Sequence, residues 1–138
     1  QVHEIDGFFN KMSLGFDCVF GSRFMKGGHY KDAPLSRLIL SKVGSILVNF
    51  LMGTKLKDMT SGFEIFSRKA LGQILANKVI LSKNTFFQTE IRTYCHKFKI
   101  IEVPITYISP SIKNINIALL DALKCLYYLK RFKSIINE

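Results

Sequence analysis

The chain has 138 residues, with 20 Lys and Arg against 10 Asp and Glu, for a net charge of +10. At 48% apolar and 22% charged residues, it has the makeup of one folded domain, or part of one, and not of a disordered tail. Three widely spaced cysteines, Cys18, Cys95 and Cys125, with no C-x-x-C pair, exclude a disulfide scaffold and a cysteine zinc site, and fit a reducing compartment. So basic a balance calls for an anionic partner, whether nucleic acid, an acidic membrane surface or a phosphorylated ligand.

In chain order, Ile5, Phe8, Phe9 and Met12 recur at helical spacing over residues 3–14, and Gly15 stops the helix. Phe16 to Phe20 reads as a short strand. It enters a loop at Gly21-Ser22-Arg23 that carries Gly27-Gly28 and closes at Pro34. Leu35 to Met52 is a helix by its apolar spacing, with Gly53 as its left-handed stop. Lys57 to Gly62 is turn-like and Phe63 to Phe66 is strand-like. Ser67 is placed to cap a helix over 68–77. A second helix is expected from Thr85 to Lys97, then a β-branched strand from Ile100 to Ile108 with Pro104 near a sheet edge. From Asn116 onward the pattern is a long amphipathic helix. There is no repeat and no low-complexity tract. Helices alternating with short strands predict an α/β unit with a mostly parallel sheet.

No stretch reaches the roughly 18 uninterrupted apolar residues of a spanning helix. The best candidate, Ile117 to Leu129, is broken by Asp121 and Lys124, so no transmembrane helix is expected. No signal-peptide pattern opens the chain, which starts at Gln1 without Met. With only two or three good strands, this predicts part of a longer protein.

Four constellations have chemical potential. Arg23 follows a strand end directly, where α/β sheets place ligands, and an Arg there reaches a phosphate, although a surface turn explains it as well. Arg37 and Ser41 are one turn apart on the Leu35 helix, with Ser45 extending the polar row. Arg37 lies in the first turn, where a cation is unfavourable unless an anion binds nearby, but a solvated stripe is the simpler account. Asp58-x-Thr60-Ser61-Gly62 forms a tight turn able to nest an anion, or an ordinary turn. Glu90, in Phe86-Phe87-Gln88-x-Glu90, is favoured near a helix start by the dipole alone. His3, His29 and His96 lack metal spacing, and no P-loop, G-x-S-x-G or H-E-x-x-H is present.

The order and spacing of these pieces carry more than any one of them. The run F-D-C-V-F-G-S-R-F-M-K-G-G, then R-L-I-L-S, K-D-M-T-S-G-F-E-I-F-S-R, F-F-Q-T-E and I-I-E-V-P-I-T-Y resembles the second half of family 2 glycosyltransferases. It is most similar to the polyprenol-phosphate sugar transferases typified by dolichol-phosphate mannose synthase. The resemblance covers about residues 1–116. It implies a partial GT-A (Rossmann-like) α/β domain with flanking helices, its N-terminal half missing. Residues 1–115 are expected to be the domain portion, and the amphipathic pattern of 116–138 suits either a helix at the membrane interface or one packed on the domain's own sheet with its Lys and Arg solvated.

The resemblance implies acceptor-phosphate binding by Arg23, Arg37 and Ser41. It places Asp58, Thr60, Ser61, Gln88 and Glu90 along the same cleft. Lys113 matches a family Lys near the donor diphosphate, but here the loop reads Ser109-Pro110-Ser111-Ile112-Lys113 in place of an Arg-containing loop ending in Ser-Lys. The family's Asp-x-Asp metal motif is not in this sequence. Mg²⁺ or Mn²⁺ is therefore expected for the full-length enzyme and not for this segment, which should be inactive alone. The implied reaction moves a sugar from a nucleotide donor (GDP-mannose or a UDP-sugar) to a polyprenyl phosphate, with inversion, at the cytoplasmic face of a membrane. A lipid phosphate is already an anionic nucleophile, so it needs positioning and charge compensation and not a general base. The rival reading is a non-enzymatic basic module for anionic lipid or nucleic acid. Nucleic acid is not expected, because no RNP-like motif or exposed aromatic–basic strand pattern is visible.

Overall fold

The structure is a computed structural model. It describes residues 2–77, 80–83, 86–108, 120, 122–128 and 130. In chain order the elements are α1 (Val2–Ser13), β1 (Cys18–Ser22), β2 (His29–Lys31), α2 (Leu35–Met52), β3 (Glu64–Phe66), α3 (Arg68–Asn77), α4 (Phe87–Tyr94), a 3₁₀ turn (Cys95–Lys97), β4 (Ile100–Pro104) and β5 (Thr106–Ile108).

Strand β1 is the middle of a three-stranded sheet ordered β3-β1-β4. It runs parallel to β4, with Val19 opposite Ile101, and antiparallel to β3, with Val19 opposite Ile65. The sheet is therefore mixed. All five β1 residues are buried because both faces are covered. On one face Val19 packs with Phe8 of α1, Val103 and Ile105. On the other, Cys18 and Phe20 pack with Ala70 and Ile74 of α3 and with Ile91 and Cys95. Pro104 ends β4, an edge strand, where its missing N–H costs no ladder bond.

Three sequence expectations shift. The strand expected at Phe16–Phe20 runs from Cys18 through Ser22. Gly21 belongs to it because the site has no room for a side chain: a Cβ there would lie 2.8 Å from Ile105 Cδ1 and 3.1 Å from the Phe63 carbonyl, which accepts the Gly21 N–H at 2.7 Å. The run from Ile100 to Ile108 is not one strand. At the joint the Ile105 N–H turns to the Ser22 carbonyl at 3.1 Å, and the Thr106 N–H to the Glu4 carboxylate at 2.7 Å. The remainder, β5, pairs in parallel with β2, a short strand not legible in the sequence. The second helix is shorter than Thr85–Lys97, because its last turn tightens to 3₁₀.

Two caps form as read. Gly53 closes α2 at φ 66° with its N–H on the Asn49 carbonyl. The Ser67 hydroxyl accepts the Ala70 N–H at 3.1 Å at the start of α3.

Helix α2 lies differently from an ordinary core helix. Only Ser45, Val48 and Met52 are buried. Its lower half joins Met59, Phe86, Cys125 and Leu126 in a separate cluster. Its outer side carries Leu35, Ile39, Val43, Ile46 and Phe50 in the open, Phe50 at 84% exposure. Among the described residues α2 alone has the length and hydropathy of a membrane-crossing helix.

The C-terminal helix expected from Asn116 is described at 122–128, plus isolated helical residues 120 and 130. Cys125 and Leu126 pack inward, while Leu120, Leu123, Tyr127 and Tyr128 stay exposed. Ile117, Arg131, Phe132 and Lys133 lie outside the described residues.

Candidate functional site

The turn at 57–60 is the point on which the molecule's polar side chains converge. Its sequence, Lys57-Asp58-Met59-Thr60, is too short and too polar to fold on its own contacts, and four side chains from three elements fix it. Glu102 of β4 accepts the N–H of Lys57 at 2.8 Å and of Asp58 at 2.9 Å. Ser45 of α2 accepts the Met59 N–H at 3.0 Å and donates its own proton to the Ser41 carbonyl at 2.9 Å. Thr89 of α4 donates to the Met59 carbonyl at 2.8 Å. Arg92 of α4 donates to the Asp58 carbonyl. Met59 itself is fully buried and anchors the turn in the α2 cluster.

Arg92 serves the turn from a fully buried position. Its Nε meets Glu64 at 3.1 Å, and its guanidinium lies 4.6 Å from the Phe20 ring centre. Burial raises the Glu64 carboxyl above its ordinary value, and Arg92 offsets only part of that.

The turn in turn presents Asp58 to Arg23, the first residue beyond the carboxyl end of β1. Asp58 Oδ2 accepts the Arg23 backbone N–H at 3.0 Å and Nε at 2.7 Å, and Oδ1 accepts Nη2 at 2.8 Å. Nη2 also donates to Thr60 Oγ1 at 2.6 Å. Burial alone would raise the Asp58 carboxyl, but the hydrogen bonds and charge of Arg23 outweigh it and hold the group below its ordinary value. Tyr30, Phe24 and Tyr107 stand around the guanidinium with ring centres at 4.7, 5.2 and 5.6 Å. The pairing of β2 with β5 brings Tyr30 and Tyr107 together, 5.4 Å apart and edge to face. Gly28 lets the chain fold back over Arg23: a Cβ there would sit 2.5 Å from the Ser22 carbonyl oxygen, a clash with backbone that no rotamer relieves.

The residues expected to act together are placed unequally. Arg23, Asp58 and Thr60 are in direct contact. Ser41 and Arg37 are half-buried and lie one and two turns before Ser45, on the α2 face that meets the same turn. Gly44 is on that face too, with Thr60 Cγ2 3.8 Å from where its Cβ would be. Ser61 is buried, its hydroxyl near the Phe63 N–H at 3.4 Å. Gln88 lies against Gly62, where any Cβ would meet its amide. Glu90 is fully buried, and its carboxylate serves another loop, accepting the N–H groups of Leu81 and Ser82 and the Tyr94 hydroxyl, each at 2.8 Å. The Tyr94 hydroxyl is accordingly pushed up, by burial first and then by Glu90. Lys113 lies outside the described residues.

Glu102, Arg92 and Thr89 build the site as much as the residues named from the sequence. Their signal was faint: a carboxylate within an apolar strand, and an Arg one turn before Cys95 on a buried helix face. Ser22 Oγ, next to Arg23, is sealed from solvent and has no partner among the described residues.

These residues do not suit a divalent metal. No group of three His, Cys, Asp or Glu side chains gathers among the described residues. The carboxylates of Asp58, Glu64, Glu90 and Glu102 are each taken by a guanidinium or by backbone N–H groups.

No family model matches the chain. Comparison with curated proteins finds relatives. Over 106 residues the chain is 33% identical to the polyprenol monophosphomannose synthase of Mycolicibacterium smegmatis, which covers 75% of this chain and 40% of that protein. Over 94 residues it is 35% identical to the undecaprenyl-phosphate mannosyltransferase of Micrococcus luteus, covering 67% of this chain and 38% of that protein. The chain thus spans about 40% of the length of the curated relatives it matches.

Proposed function

We propose, for a chain homologous to polyprenol-phosphate mannose synthases, that residues 1–115 form the acceptor side of a glycosyltransferase that glycosylates a polyprenyl phosphate. The observation that carries this reading is the inverted polarity of α2. Its inward face carries Arg37 and Ser41 in line with Ser45, which accepts the Met59 N–H of the 57–60 turn, and its outward face is apolar and open. A ligand with an anionic head and a long apolar tail suits both faces at once; a soluble phosphate needs only the first.

In this reading Arg23, Arg37 and Ser41 hold the lipid phosphate. A phosphate oxygen attacks the anomeric carbon as the bond to the donor's diphosphate breaks, so the configuration inverts. The phosphate is ionised at neutral pH and loses no proton in the step, so no general base is required. Preorganised donors lower the barrier by fixing the nucleophile's position. The sugar is mannose first among the candidates by the relatives' printed names, and the donor is a nucleotide sugar, GDP-mannose or a UDP-sugar, within a GT-A domain of which this chain supplies one part. The Mg²⁺ or Mn²⁺ expected for the donor diphosphate is assigned to residues outside those described here. The open α2 face, with the exposed part of the C-terminal helix, is assigned to the cytoplasmic membrane surface.

The test is an assay of the whole protein carrying this chain, with a panel of GDP- and UDP-sugars and a short polyprenyl phosphate. Transfer to the lipid phosphate, with an acceptor KM that rises in both Arg37→Gln and Arg23→Gln, supports the reading. Transfer that ignores the lipid phosphate, or an acceptor KM unmoved in both variants, overturns it.

A further inference from the structure

We infer that Asp58 is a positioning residue for the acceptor: its carboxylate takes one edge of Arg23, so that Nη1 alone is left to meet the anion. The inference rests on the acceptor-site reading above.

A guanidinium has five N–H protons in a fixed plane. In this structure Nε donates to Asp58 Oδ2, and Nη2 divides its two protons between Asp58 Oδ1 and Thr60 Oγ1. The two protons of Nη1 meet no acceptor among the described residues. Nor is Nη1 sealed away: the one buried side-chain N or O without a partner, among the described residues, is Ser22 Oγ. The aromatic rings of Tyr30, Phe24 and Tyr107 stand too close to Arg23 for the group to swing freely. With one edge held and the rings around it, only Nη1 is available to a ligand.

This arrangement has two consequences. Arg23 cannot grip a phosphate in the common two-pronged manner while it is paired with Asp58, because only one nitrogen is available. It also offers less charge than an isolated Arg, since Asp58 neutralises it at contact distance. Arg23 therefore acts chiefly as an oriented donor, and the remaining charge compensation falls to Arg37 in the proposed site. The strength of the scaffold behind Asp58 fits a positioning task. Glu102, Arg92 and Ser45 reach the backbone of Asp58 and Met59 from three different elements, which fixes the carboxylate in place.

The experiment compares Asp58→Asn, Thr60→Val, Arg23→Gln and the double variant Asp58→Asn/Arg23→Gln in the whole protein, each checked for folding by circular dichroism. Asp58→Asn keeps the shape but removes the negative charge and sets an NH₂ donor, in place of one accepting oxygen, against Nε or Nη2. Acceptor KM should rise about 10- to 100-fold, the scale of a misplaced binding group, with the donor KM little changed. Thr60→Val, which removes the second acceptor of Nη2 and the hydroxyl's own bond to Asp58 Oδ1, should act in the same direction and less. Added to Arg23→Gln, the Asp58 change should have no further effect on acceptor KM. The ¹⁵N–¹H signal of Arg23 Nε should shift and exchange faster in Asp58→Asn. If Arg23→Gln raises acceptor KM while Asp58→Asn and Thr60→Val do not, the positioning role is wrong and the acceptor site stands. Additive effects of Asp58→Asn and Arg23→Gln also overturn the positioning role. If Arg23→Gln and Arg37→Gln both leave acceptor KM unchanged, the acceptor-site reading fails and this inference with it. Should Asp58→Asn fail to fold, Thr60→Val decides: a raised acceptor KM upholds the positioning role and an unchanged one overturns it.

Discussion

Replacing Ile46 and Phe50 with Ser should detach the protein from membranes while leaving its fold intact. The two residues lie one turn apart on the outer face of α2, at 63% and 84% exposure, so the folded domain gains little from them. Burying a large apolar side chain is worth about 1.5–3 kcal/mol when the burial is complete. Scaled by the exposed fractions, the bilayer could gain about 1–2 kcal/mol from Ile46 and slightly more from Phe50. Together they account for about 2–4 kcal/mol, or roughly 30- to 1,000-fold in vesicle partitioning. The loss in folding stability should stay near the about 0.5 kcal/mol typical of exposed sites. Sedimentation of the whole protein with vesicles of mixed neutral and anionic lipid reads the effect, and thermal unfolding reads the cost. Salt separates the two attractions. Each basic residue near an anionic surface contributes about 1 kcal/mol, which high salt screens, whereas the contribution of Ile46 and Phe50 should survive it. Unchanged vesicle binding by the folded double variant, at low and high salt alike, would refute the argument. If the change instead converted an oligomer to a monomer, the face would be a contact between proteins.

Other outcomes follow from the same geometry. Arg92→Met should destabilise the protein by about 3–5 kcal/mol, read by denaturant unfolding, because it strands the Glu64 carboxylate and the Asp58 carbonyl without their donor. Arg37→Gln should cost about 1.5–3 kcal/mol of acceptor binding, roughly 10- to 150-fold in acceptor KM, with a smaller loss for Ser41→Ala because its hydroxyl is neutral. Arg23→Lys should recover only part of the function lost in Arg23→Gln, since an ammonium cannot keep Asp58, Thr60 and a phosphate in one plane. The Asp58 carboxyl is held below its ordinary value, so its contribution to stability is full above that value and fades as pH falls through the lower folded one. Acid unfolding of Asp58→Asn should lack that part of the pH dependence, and an acid limb identical to wild type would contradict the assignment.

Local chemistry was legible without a structure wherever a residue acts on its near neighbours. The α2 span follows from apolar spacing, its stop from Gly53 and the α3 cap from Ser67. The phosphate-site candidates were legible only through the order of the motifs, because each alone is an ordinary turn or stripe. The sense of α2 was not legible at all. Leu35, Ile39, Val43, Ile46 and Phe50 form the same periodic stripe whether a helix turns it to a core or to the outside. The orientation is set where Val48 and Met52 pack with Met59 and Phe86 and Ser45 accepts the Met59 N–H, which leaves the row of Leu35, Ile39, Val43, Ile46 and Phe50 outside. The partner of Arg23 was equally hidden, since Asp58 is 35 residues away and no local rule joins them. Glu102 and Arg92 are further from legible still, because they act on backbone groups that a sequence does not mark. Helix spans and caps are readable from the amino acids because they depend on contacts within a few residues, and the motifs because their order is written in the chain itself. Which face of α2 stays open, which edge of Arg23 is taken and which side chains hold the 57–60 turn were decided by long-range packing alone.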